Sequence, residues 1–379
     1  MKIAAVIYKF FPYGGIQLDL LRILEECHIR GHQVTVFASR WEGECPNYID
    51  LHLIGLRSCS NHYRMLEFSR KVNRAVSAGD YDLVFGVNRI EGLDVYFAGD
   101  NCYDAKAHNE RSFFYRLTPR YRVYHKLEKS VFERGGRCRI LLLTPGQQPV
   151  FEQYYHTEPE RFVLLPPGIP KDRCRPDNAD KVRSTKRMEL GLKDDSEIMI
   201  LQIGSGFATK GVDRSIRAVA SLPAAWRSKT TLFIVGSDNP AKYIKLTRKL
   251  HIEDRVKFLG GRNDVPSLLL AADLMLHPAV NDATATVLAE AIVAGLPVIC
   301  SDVCGFSSLI TSARSGVVIS SPFNQNELNT QLAKMLETPA QLQAYQDNAI
   351  MYADDADFFS RQKVAVDFME KVVAEKAEE

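Results

Sequence analysis

Short apolar runs alternate with stretches of helical periodicity along almost the whole chain. Ile3–Tyr8, Val34–Ala38, Leu83–Val87, Ile140–Thr144 and Phe162–Leu165 read as strands of a first half. Ile198–Ile203, Leu232–Val235, Val256–Leu259, Leu274–His277, Val298–Ser301 and Val317–Ile319 read as strands of a second, the fourth overlapping the apolar run Ala271–Leu276, which itself reads as a buried strand. Strands separated by helices imply parallel sheets built from βαβ units, so the pattern predicts an α/β chain with two doubly wound halves. Between them Leu164–Asn178 (LLPPGIPKDRCRPDN) is dense in proline and charge, as suits a linker. Phe358–Val373 has the pattern of a last amphipathic helix. Open parallel sheets bind ligands beyond the carboxyl ends of their strands, which places the expected site in the cleft between the halves.

Length and composition fit this organisation. The 379 residues suffice for two cores, and 46% hydrophobic with 25% charged residues is the balance of a soluble globular protein. No apolar run approaches the ~20 residues of a spanning helix. The opening MKIAAVIYKFFPYGG is interrupted by Lys9 and reads as a buried strand, not a signal peptide. The eight cysteines are scattered without a C-x-x-C pair, which predicts reduced thiols and no zinc site.

The net charge of +2 argues against general nucleic-acid binding, but charge is unevenly spread. Tyr103–Arg139 holds ten Lys or Arg against four acids, with Phe113, Phe114, Tyr115, Tyr121, Tyr124 and Phe132 interleaved. Basic residues with interfacial aromatics suit an anionic bilayer surface, and equally a phosphorylated glycan. A solvated helix with an aromatic core stripe is the plainer reading. Arg116, Arg120, Arg122 and Lys126 are the candidate surface contacts, with Arg89 as a candidate acceptor contact; no nucleic-acid-binding module accompanies them.

The richest candidate chemistry lies in His277–Gly305, HPAVNDATATVLAEAIVAGLPVICSDVCG. Val287–Ala294 reads as a helix, with Asn281, Asp282 and Thr284 as the residue types that cap one. Asp282 then precedes the helix and Glu290 lies about two turns in. An anion could lie over the helix N-terminus, where unpaired amides favour negative charge, leaving the carboxylates to hold hydroxyls. After the first strand, Gly14 and Gly15 precede a helix that carries Asp19; glycines there allow close approach to a phosphate or sugar. Lys210 lies in the strand–loop–helix segment GSGFATKGVDRS. Asp80-Tyr81-Asp82 and Asp355-Ala356-Asp357 precede a strand and a helix, the wrong places for a metal that meets a phosphate, so no metal site is expected.

On these residues the chain resembles the retaining GT-B glycosyltransferases of family 4, whose signature is Glu-x7-Glu, here Asp282 and Glu290. YKFFPYGGIQLDLLRI (8–23), SRWEGECP (39–46), GLDVYFAGDNCY (92–103), YRLTPRYRVYHKLEKSVFE (115–133), TEPERFVLLPPGI (157–169) and GSGFATKGVDRS (204–215) are similar to the lipopolysaccharide core glucosyltransferases, which add the first glucose to an inner-core heptose. The similarity runs in order over nearly the whole chain.

The resemblance implies two Rossmann-like domains facing each other across a cleft. Residues 1–168 would bind the acceptor, completed by a C-terminal helix at 355–379, and 169–354 would bind the nucleotide sugar. It implies a metal-independent retaining hexosyltransferase moving glucose from UDP-glucose, with no cofactor, in the cytoplasm on the inner face of an anionic membrane. Lys210, as the family's Lys-Gly element, and Arg173 would neutralise the donor phosphates, with Arg175 an open competitor to Arg173. The Gly14–Gly15 loop would close over the diphosphate, with Asp19 near the reaction centre. Glu290 would hold the ribose, Asp282 the sugar hydroxyls, and the amides of Ala285 and Thr286 the phosphate. Arg262 would edge the uridine pocket or lie on the surface; Asp100 would support catalysis, cap a turn or bind acceptor.

Three positions depart from the family: Asp282 stands where Glu is usual, Ala285 where Gly is usual, and Thr209 where a second basic residue is usual. Aspartate reaches about 1.5 Å less, one backbone-scale bond, and Ala285 is disfavoured if its φ must be positive. These departures make a different donor, or a degenerate glycan- or lipid-binding protein, the alternatives.

Overall fold

The computed structural model describes residues 1–12, 14–192 and 196–378; Tyr13, in the glycine loop after the first strand, lies outside them. The chain divides into one unit of Met1–Gly168 with Ser360–Glu379, and a second of Ile169–Phe359.

The first unit is a seven-stranded parallel sheet of β1 (Lys2–Phe10), β2 (Gln33–Trp41), β3 (Ile49–Leu53), β4 (Leu83–Gly86), β5 (Val95–Ala98), β6 (Arg139–Leu142) and β7 (Phe162–Leu164), in the order β3-β2-β1-β4-β5-β6-β7. Alternate residues of β1 feed opposite cores. Ile3, Ala5 and Ile7 pack with Leu20, Ile23 and Leu24 of α1 (Gly15–Ile29) and with Ala365, Val366 and Met369 of the C-terminal helix Arg361–Glu378. Ala4 and Val6 pack on the other face with Phe68 and Val72 of α2 (Asn61–Ser77) and with Phe132. A sheet covered on both faces requires this continuous apolar run.

The second unit is a six-stranded parallel sheet of β8 (Ile198–Ile203), β9 (Thr230–Val235), β10 (Val256–Gly260), β11 (Leu274–His277), β12 (Val298–Ser301) and β13 (Gly316–Ile319), in the order β10-β9-β8-β11-β12-β13. The order reverses between β1 and β4 in the first unit and between β8 and β11 in the second. At such a point the loops from neighbouring strands run to opposite faces and leave a crevice at the carboxyl ends. Gly14 and Gly15 follow β1; Lys210 and Asp282 follow β8 and β11.

Several expectations need correction. β3 and β5 escaped the sequence pattern: β3 is a five-residue edge strand with an exposed Leu53, and β5 follows β4 with no helix between them. The expected strand over Ala271–Leu276 is split. Ala271 ends the helix Val265–Ala271 and the strand covers only Leu274–His277, because Arg183 takes the carbonyls of Ala271 and Ala272 at the break. The last helix starts at Arg361, after Phe358 has been drawn into the core of the second unit.

Asp19 is held by that last helix. The Arg361 side chain, 3% exposed, donates to Asp19 Oδ2 at 2.7 Å, to the Pro166 carbonyl at 2.9 Å and to the Pro167 carbonyl. Burial pushes the Asp19 carboxyl upward in pKa, against the pull of Arg361 and Arg22. Arg361 thus ties α1, the last helix and the end of the first unit's chain together. Replacing Arg361 by Met should cost about 3–5 kcal/mol, because it strands a buried carboxylate. Adding Asp19→Leu should return a large part of that loss; chemical unfolding of the single and double variants measures both, and additive losses would contradict the pairing.

Candidate functional site

The loops after β8 and β11 are tied to each other before any side chain is considered. The Thr209 carbonyl accepts the amides of Val280 at 2.8 Å and Asn281 at 3.3 Å. Gly211 follows with φ +68°, and a Cβ there would stand 2.0 Å from the Pro278 carbonyl oxygen. Only glycine permits both the left-handed turn and this approach. The Lys210 carbonyl accepts from Gln202, which is 1% exposed, so the lysine's backbone is fixed from beneath.

Lys210 Nζ lies 2.6 Å from Asp282 Oδ2. The same oxygen is 2.9 Å from Nε2 of His277, a fully buried residue at the end of β11, and Oδ1 accepts the Ala285 amide at 3.0 Å. Burial acts to raise the Asp282 pKa, but the His277 hydrogen bond and the Lys210 charge outweigh it and hold the carboxyl below its usual range. The Asp282 loop is braced from its other side by the amide of Gly305 on the Asp282 carbonyl and that of Phe306 on the Thr284 carbonyl.

The helix that follows spans Thr286–Ala294 with no side-chain cap. Neither Asn281 nor Thr284 caps it, contrary to expectation, and Asp282 reaches only Ala285, one residue short of the helix. Glu290 is therefore little more than one turn in, not two. Ala285 has φ +54° and ψ +52°, which costs a residue with a Cβ about 1–2 kcal/mol. Glycine would take this turn without that cost, and here the Asp282 carboxylate helps hold the strained turn.

Arg173 lies in the turn Lys171–Arg173, with Nε 3.7 Å from Glu290 Oε1. That distance is an ion pair and not a hydrogen bond. Its Nε and Nη1 are buried and make no hydrogen bond among the described residues. Arg175, the competitor, is spent elsewhere, on Asp180 at 3.1 Å and on the Ala294 carbonyl at the helix end. Arg262 forms a two-pronged pair with Asp264 at 2.8 and 2.6 Å.

In the first unit, α1 begins at Gly15 without a side-chain cap, and a Cβ at Gly14 would meet the Gln17 and Phe11 side chains. Gly99 packs against Ile16, which brings the exposed Asp100 at the end of β5 beside the start of α1. Asp19 is the residue here that the fold engages, through Arg361.

Comparison with known proteins gives a consistent answer. The description Glycosyltransferase Family 4 matches residues 13–173, and Glycosyl transferases group 1 matches residues 183–351. The lipopolysaccharide glucosyltransferase WaaG of Escherichia coli K12 is 44% identical over 369 residues, covering 97% of this chain and 98% of that protein. The chain belongs to the lipopolysaccharide glucosyltransferase family of glycosyltransferases.

A crystal structure of WaaG agrees with this glycosyltransferase at a TM-score of 0.87, over 97% of this chain and 99% of the other. D-inositol 3-phosphate glycosyltransferase of Salinispora arenicola is 30% identical over 344 residues, 81% of this chain and 76% of its own. Anabaena HepE, 19% identical with a TM-score of 0.73 over 98% and 100% of the two chains, shares the fold. The chain is a GT-B hexosyltransferase.

The basic segment of this glycosyltransferase rests on a buried carboxylate that sequence reasoning missed. Glu128, in α4 (Pro119–Phe132), is fully buried and accepts the amides of Tyr103 and Asp104 at 2.8 and 2.9 Å, at the start of α3 (Tyr103–Asn109). It also takes the Tyr155 hydroxyl at 2.5 Å and pairs with Arg89 Nη1 at 3.0 Å. Arg89, the candidate acceptor contact, is thus engaged inside the unit, its other nitrogen donating to the carbonyls of Asp100 and Asn101. Phe132 is likewise core, not surface. Phe113, Phe114 and Leu117 stay exposed at 65%, 75% and 55%, beside Arg116, Arg120 and Arg122, while Lys126 pairs with Glu91 at 2.7 Å. A Glu in an amphipathic basic helix reads as a surface acid; only its 0% exposure reveals the anchor.

Gly211→Ala should destabilise the second unit by about 2–4 kcal/mol, combining the left-handed penalty with overpacking. Thermal unfolding measures it, and a variant as stable as wild type would show that the two loops are not locked together.

Proposed function

We propose that this enzyme transfers glucose from UDP-glucose to a heptose of the lipopolysaccharide inner core, with retention and without a metal ion. The observation that carries the reading is the gathering of Lys210 and Asp282 at the switch point of the second unit, before the uncapped start of the helix Thr286–Ala294. The charge that grows on departing UDP is met by the Lys210 ammonium, by that helix start, and by the Arg173 guanidinium, two of whose buried nitrogens have no hydrogen-bond acceptor among the described residues. Glu290 accepts the ribose hydroxyls beside Arg173. The acceptor hydroxyl attacks from the face that the phosphate leaves, and a phosphate oxygen takes its proton, so no protein nucleophile is required.

The Asp-x-Asp pairs support a metal-free reading. Asp80 pairs with Lys2 at 2.7 Å, Asp82 accepts the Lys2 amide at 2.7 Å, and Asp357 accepts the Phe359 amide at 3.0 Å. These acids serve the fold where they stand.

A second donor is the other reading, favoured by Asp282. A carboxylate offers about four acceptor positions, and His277, Lys210 and Ala285 occupy three of them. Asp282 therefore has one left with which to read a sugar hydroxyl. UDP-galactose and UDP-N-acetylglucosamine are the donors to compare.

Anionic membrane attachment on the cytoplasmic side is part of the same proposal. Phe113, Phe114 and Leu117 form an exposed apolar tip, and the neighbouring arginines suit acidic headgroups. Among the described residues no helix is long and apolar enough to cross a membrane.

With heptose-terminated acceptor, UDP-glucose should give the highest kcat/KM of a donor panel, and EDTA should leave it unchanged. Lys210→Ala should lower kcat by about 10²–10³-fold, the loss typical of a donor to a developing anion. Faster turnover with another UDP-sugar would move the conclusion to that donor. In vesicle sedimentation, reversing Arg116, Arg120 and Arg122 to Glu should abolish binding to acidic vesicles; undiminished binding would remove the membrane role from this surface.

A further inference from the structure

We propose that His277 is a positioning residue of the donor site: it holds the Asp282 carboxylate in the one orientation that presents the Lys210 ammonium to the diphosphate. This rests on the reading of Lys210 as the diphosphate ligand.

His277 ends the central strand β11 and has no exposed surface. A polar ring at such a position is costly unless its nitrogens are satisfied. Nε2 lies 2.9 Å from Asp282 Oδ2, and Nδ1 has no hydrogen-bond partner among the described residues. These two facts assign the proton. With hydrogen on Nε2 the ring donates to the carboxylate and leaves only a bare lone pair at Nδ1. The other tautomer would set a lone pair against a carboxylate and bury an unsatisfied N–H, so the ring is the Nε2–H form.

Donation from His277 has a geometric consequence for Lys210. A carboxylate held by one contact turns freely about its last bond. Asp282 is held by three: the imidazole and the ammonium on Oδ2, and the Ala285 amide on Oδ1. Of these only the lysine is a long flexible group. The ring and the amide belong to the rigid end of β11 and to the turn braced by Gly305 and Phe306, so they set the carboxylate plane, and the ammonium follows it. One ammonium hydrogen is spent on Oδ2, which leaves two to point at phosphate oxygens. Removing the imidazole frees Oδ2 to swing, and the lysine is drawn with it.

The shortness of aspartate belongs to the same device. Its carboxylate turns back far enough to meet both His277 below and the amide three residues ahead. One more methylene would carry it past them.

The test compares His277→Leu, His277→Gln and Lys210→Ala for UDP affinity by calorimetry and for donor KM, acceptor KM and kcat. Gln carries an N–H at nearly the reach of imidazole Nε2. His277→Leu is expected to raise UDP Kd and donor KM at least tenfold with acceptor KM unchanged, and His277→Gln to return both to within about threefold of wild type. A folded Leu variant with wild-type UDP affinity overturns the proposal. If the Leu protein does not fold, the Gln variant decides: UDP affinity near wild type supports positioning, and a loss as deep as in Lys210→Ala overturns it. Unchanged UDP affinity in Lys210→Ala would instead defeat the donor-site reading itself.

Discussion

The pairing of one ammonium with one mostly buried carboxylate organises the loops at the switch point of the second unit. Lys210 and Asp282 leave neighbouring strands of a parallel sheet, and their side chains meet because the Thr209 carbonyl has already joined the two loops. A pair at this depth is costly to desolvate and repays that cost only when its remaining hydrogen-bonding capacity is used. His277 and the Ala285 amide use it. The tight turn at Gly211, the strained turn at Ala285 and the buried histidine at the end of β11 are the conditions under which that one contact forms.

The first unit follows the same rule with a different purpose. Glu128 is a fully buried carboxylate met by two helix-start amides, a tyrosine hydroxyl and an arginine, and it fixes α3 and α4 so that a basic, aromatic surface can stand outside them. Asp19 and Arg361 do likewise for the C-terminal helix. In each case an acid that would be a liability alone becomes a structural anchor once a charged or hydrogen-bonding partner meets it. The acids and bases that stay at the surface, such as Lys126 with Glu91, contribute little by comparison.

For a glycosyltransferase this division of labour is useful. Transfer needs fixed positive charge where the phosphate leaves, because dipoles and cations already in place cost nothing to reorganise as charge develops. A lysine on a mobile loop cannot provide that. A lysine whose backbone is held by Gln202 and whose ammonium is held by a locked carboxylate can. Arg173 lies within ion-pair distance of Glu290, and two of its buried nitrogens make no hydrogen bond among the described residues.

The class of the fold, most of the strands and the principal charged groups are legible in the chain alone. Parallel strands buried on both faces are nearly continuous apolar runs, and such runs are visible without coordinates. Strong local punctuation, as at Gly14, Gly15 and Gly211, is equally visible. Strands β3 and β5 were not, because β3 is an exposed edge with a broken apolar run and β5 follows β4 without the intervening helix that marks the other strands. Nor could order along the chain reveal which charges pair. Arg173 and Arg175 are two residues apart and read alike, yet one faces Glu290 and the other closes a helix end. His277 looks like the last residue of a strand, Glu128 like a surface acid and Arg89 like an exposed cation. Burial and partnership belong to segments that lie far apart in sequence and meet only when the sheets are packed, so they become visible in the folded chain and not before.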